Sequence, residues 1–221
     1  MARTRGPASI GQRGVNWTDR AARCRYPGLA LRARPGDPAR LRRGGRLVSS
    51  LNRGVAKVEV TLKWDPSPLG APPHDLDIVA ATYTSKDPSD KPAYLVHFGS
   101  RSPDGTITLD RDSQTGQGFG ADEEMTLELD RLAVAYHRVV VGVVIQQRHG
   151  RRTFADIAGP QLRVLEGYTE LAKHDFTGVP DATAATLAQF TRDSSGAWQF
   201  HTAVRGFDTD PQSFGALMGT A

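Results

Sequence analysis

Arg138-Val139-Val140-Val141-Gly142-Val143-Val144-Ile145 is the stretch that decides the fold. Successive side chains of an extended chain point to opposite faces, and in this run both faces are apolar. A strand of that kind belongs at the centre of a sheet covered on both sides. On its N-terminal side, Met125, Leu127 and Leu129 alternate with Thr126, Glu128 and Asp130, the pattern of a half-buried strand. Earlier still, Val58, Val60 and Leu62 alternate with Glu59, Thr61 and Lys63 before Trp64-Asp65-Pro66 ends the strand. Strands are also predicted over residues 77–83, 93–98 and 106–109. Ser102-Pro103-Asp104-Gly105 separates the last two, because Pro fixes φ and Gly supplies a positive φ.

On the C-terminal side, a short helical turn is predicted over residues 153–158. Strands follow over 162–166, 168–173, 184–191 and 198–203. Residues 210–221 are expected to cap one end. Short strands between frequent turn signals fit two packed antiparallel sheets, not an alternation of strands and helices. The predicted fold is an all-β, antiparallel β-sandwich with short helical turns, over residues 47–221.

Composition adds a second division. Residues 1–46 hold twelve arginines, no lysine and only Asp19 and Asp37 as acids, whereas residues 47–221 hold sixteen basic and twenty-two acidic residues. The net charge of +4 therefore belongs to the N-terminal stretch, and the remainder is acidic. Rich in Arg, Gly, Pro and Ala and without a sustained period, residues 1–46 are expected to be disordered. They read either as a solvated extension or as a basic arm for nucleic acid or an anionic surface. Cys24 is the single cysteine, so no intramolecular disulfide can form. No apolar run reaches the ~18 to 20 residues of a membrane span, and arginines interrupt any secretory-type apolar segment. A cytoplasmic location is expected.

The densest polar cluster runs from Asp110 to Glu124 and joins two predicted strands: DRDSQTGQGFGADEE. Its glycines, Gly116, Gly118 and Gly120, let the backbone turn sharply and present carbonyl oxygens inward. Carboxylates, a hydroxyl and carbonyls are the hard oxygen ligands that calcium takes. A second acidic pair, Asp75 and Asp77, stands at a strand entrance with a spacing that puts both carboxylates on one side. Like charges held so close repel unless water or a cation separates them. A solvated hairpin also accounts for either cluster taken alone.

Other chemistries find little support. With Asp110 at the first position of an EF-hand loop, Thr115 stands where the required Gly belongs and Ala121 where the Glu belongs. Gly116-x-Gly118-x-x-Ala121 resembles a dinucleotide fingerprint but precedes an alternating strand instead of a helix. The chain has no P-loop, HExxH, CxxC or GxSxG motif. Its six histidines show no paired ligand spacing, and His97 reads as an ordinary strand histidine. Trp64 and Trp198 read as core aromatics. No enzymatic activity is expected.

The order of Leu62-Lys63-Trp64-Asp65, His74-Asp75-Leu76-Asp77, Ser102-Pro103-Asp104-Gly105, Arg111-Asp112-Ser113-Gln114-Thr115-Gly116 and Asp122-Glu123 resembles the bacterial TerD family of tellurium-resistance and stress-response proteins. Gly167-Tyr168, Trp198-Gln199-Phe200 and Arg205-Gly206-Phe207-Asp208 fit the same pattern. The resemblance implies a β-sandwich that binds calcium between loops at one edge, without enzymatic activity, as a sensor or scaffold for protein partners. Carried over motif by motif, it implies a ligand set of Asp75, Asp77, Asp112, Ser113, Gly118, Asp122 and Glu123. Ser113 stands where Asn is common, and Phe119 and Ala121 where acids are frequent. One calcium ion is therefore expected, with a second left open.

Overall fold

The computed structural model describes residues 54–87 and 90–221. The basic stretch 1–46, with its expected disorder and its reading as a nucleic-acid arm, lies outside the described residues. Among the described residues ten strands run in chain order: β1 (Lys57–Lys63), β2 (Leu76–Tyr83), β3 (Tyr94–Val96), β4 (Ile107–Arg111), β5 (Glu123–Glu128), β6 (Arg138–Ile145), β7 (Gln161–Glu166), β8 (Thr169–His174), β9 (Ala184–Arg192) and β10 (Trp198–Phe207). They form two five-stranded sheets ordered β4-β5-β1-β7-β8 and β10-β9-β6-β2-β3. Every pairing between these strands is antiparallel. The all-β sandwich expected from the alternation is the observed fold.

The run 138–145 is β6 in full and lies in the middle of the second sheet. Its odd-numbered valines, Val139, Val141 and Val143, face the main core with Val58, Val60 and Leu62 of β1 and Met125 and Leu127 of β5. Trp64 and Trp198 are buried in the same core. The other face of β6, with Val140 and Val144, packs in a separate cluster under Phe214 and Met218.

That second cluster corrects the expectation for the C-terminus. Residues 210–221 do not cap an end of the sandwich; helix α1 (Pro211–Leu217) and a following 3-10 turn, Met218–Thr220, lie against the outer face of the second sheet. The cause is apolar area. Val79, Ala81, Val140 and Val144 would otherwise leave that face bare to water, and the helix supplies the cover. Asp210 starts the helix by accepting the Ser213 N–H at 2.9 Å. Arg138, at the head of β6, locks its end by donating to the Gly219 carbonyl at 2.8 Å while stacking over the Tyr83 ring. The helical turn expected near residue 153 is a 3-10 turn, Phe154–Asp156, whose Asp156 carboxylate accepts the Thr153 N–H at 2.8 Å.

Candidate metal centre

Three elements converge where β2 and β5 begin and β4 ends. Asp77 is the second residue of β2, Asp112 follows β4 directly, and Glu123 opens β5. One carboxylate oxygen from each lies within 4.8 Å of the others. Asp77 and Glu123 are buried, and Asp112 is exposed.

The topology explains the convergence. β3 is short and pairs with β2 only at Ala80, Ala81 and Thr82. The N–H of Ile78 lies beyond that pairing, and the Glu123 carboxylate accepts it through Oε2 at 2.5 Å. A side chain from the first sheet thus takes the hydrogen bond that a longer β3 would have taken. The other oxygen, Oε1, is buried, and no N–H or hydroxyl donor reaches it. Asp77 is held from the opposite side, where Gln146, just past β6, donates Nε2 to Asp77 Oδ2 at 2.5 Å. The backbone N–H of Gln146 also donates to the Asp75 carbonyl at 2.8 Å.

The loop carrying Asp112 is laid against an aromatic floor. Gly116 has φ of +67°, and a Cβ there would come within 2.5 Å of Trp64 Nε1, so both backbone and space demand glycine. Trp64 is fixed in turn, since its indole N–H donates to the His74 carbonyl at 3.1 Å.

Burial dominates the electrostatics. It raises the Glu123 carboxyl to about 10, with the Ile78 hydrogen bond opposing the rise and the Asp77 charge and the Asp112 carboxylate, as hydrogen-bond partner of the protonated acid and as a charge, adding to it. Burial likewise raises Asp77 to about 7, against the Gln146 hydrogen bond and with the help of Asp75 and Asp112. Asp75 is raised by burial and by Asp112, while Arg148 opposes the shift. A site of this kind holds protons, or it holds a cation that makes protons unnecessary.

Of the seven residues singled out in the sequence, Asp77, Asp112 and Glu123 come together. Asp75 stands alongside, its Oδ2 3.3 Å from Arg148 Nη1 and its Oδ1 buried without a partner. Asp122 is turned to another task. Its Oδ2 accepts the Trp64 N–H at 2.9 Å and its own N–H donates to the Leu62 carbonyl at 2.8 Å, which fastens the end of β1 to β5. Ser113 Oγ faces the Thr115 N–H at 3.5 Å, and Gly118 lies beside the Arg111 guanidinium. Asp122 is not among the converging acids.

Two residues at the site escaped the sequence reading, Gln146 and Arg148. Pairing the runs 76–83 and 138–145 antiparallel is the signal that finds the first. Leu76 opposes Ile145, so the residue after β6 arrives beside the acids that open β2.

Known proteins share this arrangement of strands. A TerD domain family model matches residues 39–215. The chain is 27% identical over 175 residues to Tellurium resistance protein TerD of Alcaligenes sp, which covers 76% of this chain and 90% of the relative. General stress protein 16U of Bacillus subtilis is 23% identical over 169 residues, covering 72% and 86%. Among solved structures, the unknown function protein SAV2460 is 60% identical, with a TM-score of 0.74 over 76% of this chain and 99% of that one. A homologue of telluride resistance protein (TerD), SCO6318 from Streptomyces coelicolor A3(2), is 55% identical with the same TM-score of 0.74 and the same coverage. With a family model matched across most of its length and a sandwich shared with these relatives, this chain belongs to the TerD domain family.

Proposed function

We propose that this chain is a calcium-binding stress protein of the tellurium-resistance type, acting as a sensor or scaffold and not as an enzyme. The observation that carries the reading is the buried Glu123 Oε1, which no N–H or hydroxyl donor reaches, beside the oxygens of Asp77 and Asp112. An unpaired buried carboxylate oxygen is costly, and a divalent cation seated among the three carboxylates would satisfy it while offsetting their mutual repulsion. The donor set is all oxygen, which suits a hard cation, and the exposed Asp112 side leaves room for the waters and carbonyls that complete a calcium shell. Asp77, Asp112 and Glu123 would hold one ion, with Asp75 as the adjoining acid. Bound calcium would supply positive charge that ties β2, β4 and β5 together, giving a partner protein an ordered loop edge to read. The relatives' names support the stress-response setting.

Titration calorimetry on the chelator-treated full chain tests this directly. Saturable calcium heat with a stoichiometry near one is expected, and Asp77→Ala is expected to remove it. Heat that persists in that variant would remove Asp77 from the ligand set.

The raised carboxyls predict a pH dependence for the metal-free protein. Asp77 and Glu123 bind protons more tightly folded than unfolded, so the folded state holds the extra protons between the ordinary value and the raised one. Stability contributed by these groups is therefore lost as pH rises, from 3.8 to about 7 for Asp77 and from 4.5 to about 10 for Glu123. Calcium binds the deprotonated carboxylates, so it should flatten that decline and expel protons on binding. Melting curves across the range, with calcium and with chelator, check both points. A metal-free stability that rises through neutral pH would contradict the assignment.

A further inference from the structure

Arg148 offers the acidic centre a cation of its own. Its Nη1 lies 3.3 Å from Asp75 Oδ2, with the Asp75 side chain 10% exposed and the Arg148 side chain 52% exposed. It also counteracts the rise at Asp77, whereas the other charges acting on these two acids, Asp112 and Asp75 itself, are negative. The arginine is presented by a braced loop. Gln147 Nε2 donates to the carbonyls of Ile145 at 2.9 Å and Arg152 at 3.1 Å, and its Oε1 accepts the Arg152 N–H at 2.7 Å. A cavity of about 90 Å³ is lined by Arg148 and Asp75 together with Gln114 and Thr115 of the Asp112 loop. The guanidinium therefore has space to move without disturbing packed side chains.

We propose that Arg148 is a tethered internal cation that competes with the bound metal for the acidic centre and sets its affinity. The inference rests on the calcium reading above and concerns the regulation of that same site. A guanidinium beside Asp75 repels an incoming dication and occupies the carboxylate that adjoins its ligands. Metal entry and the release of Arg148 are then one exchange, and the freed guanidinium marks the loaded state on the surface.

Calcium calorimetry on chelator-treated full-length wild type, Arg148→Gln and Arg148→Lys tests it. Arg148→Gln should bind calcium about five- to tenfold more tightly, and Arg148→Lys close to wild type. In the wild type, calcium should also speed solvent exchange of the Arg148 guanidinium protons. Equal or weaker binding by Arg148→Gln, or unchanged exchange, overturns the competition while leaving the metal site standing. No saturable heat in any of the three proteins overturns the metal reading and this inference with it.

Discussion

Glu123→Gln is expected to make the metal-free protein more stable than wild type at neutral pH and to abolish its stabilisation by calcium. In the metal-free protein burial holds the Glu123 carboxyl protonated, with its value raised to about 10. Glutamine is nearly isosteric with that neutral acid and still offers an oxygen to the Ile78 N–H, which now bonds Oε2 at 2.5 Å. The unfolded wild type is ionised at neutral pH and must take up a proton on folding, whereas glutamine need not, so the metal-free variant should melt above wild type there and level with it only at acid pH. The loaded protein loses an anionic ligand from a set of three, and at least a hundredfold weaker binding, about 2.8 kcal/mol, is expected. At calcium a hundred times its Kd, the wild type gains about 2.7 kcal/mol, or roughly 5 to 11 °C for a domain of this size. The variant should gain almost none of it. Alanine would be a poorer probe, because it strands the buried Ile78 N–H at a cost of about 1 to 3 kcal/mol. Parallel melts with calcium and with chelator decide the matter. An undiminished calcium shift would show Glu123 to be a strand-edge acceptor and nothing more.

The three converging carboxylates were legible in the sequence because each sits at a strand end that alternation locates. Asp77 opens the run 77–83, Asp112 leaves the strand over 106–109, and Glu123 precedes Met125. Asp122 shows the limit of that reasoning. Adjacent residues at the mouth of a strand point opposite ways. Of the pair Asp122-Glu123, one therefore turns to Ile78 and the other to Trp64, and composition alone does not say which. Arg148 was hidden for a different reason. Its relation to Asp75 spans seventy-three residues and exists only once β2 and β6 are in register. The site's polar supports are thus products of long-range pairing, whereas its ligands are local features of strand ends.

Register and cover also govern the second large effect, the expected loss of stability in Phe214→Ala. The apolar outer face of β6 demands a cover, which the sequence announces, but nothing in α1 reads as a core helix. Only Phe214 and Gly215 of its seven residues are buried. Phe214 carries most of the contact. It is fully buried among Val79, Ala81, Tyr83, Val140 and Val144 and packs edge-on against Phe207 at 5.7 Å between ring centroids. The fit is close enough that a Cβ on Gly142 would meet the ring at 2.7 Å and the Ala185 carbonyl at 2.6 Å. That is why a glycine interrupts the valines, at the point where the pairing of β6 with β9 shifts register. Removing the ring should cost about 3 to 5 kcal/mol and lower the melting point by roughly 6 to 20 °C. A short helix held by so few buried groups cannot close the gap, and the outer face of β2 and β6 would be exposed together. Denaturant titration measures the loss, and the calcium-induced rise in melting temperature should persist, since Phe214 supplies no ligand. A loss below about 1 kcal/mol would mean that the helix only rests on the sheet. The apolar pattern of residues 138–145 would then have to be explained by some other cover.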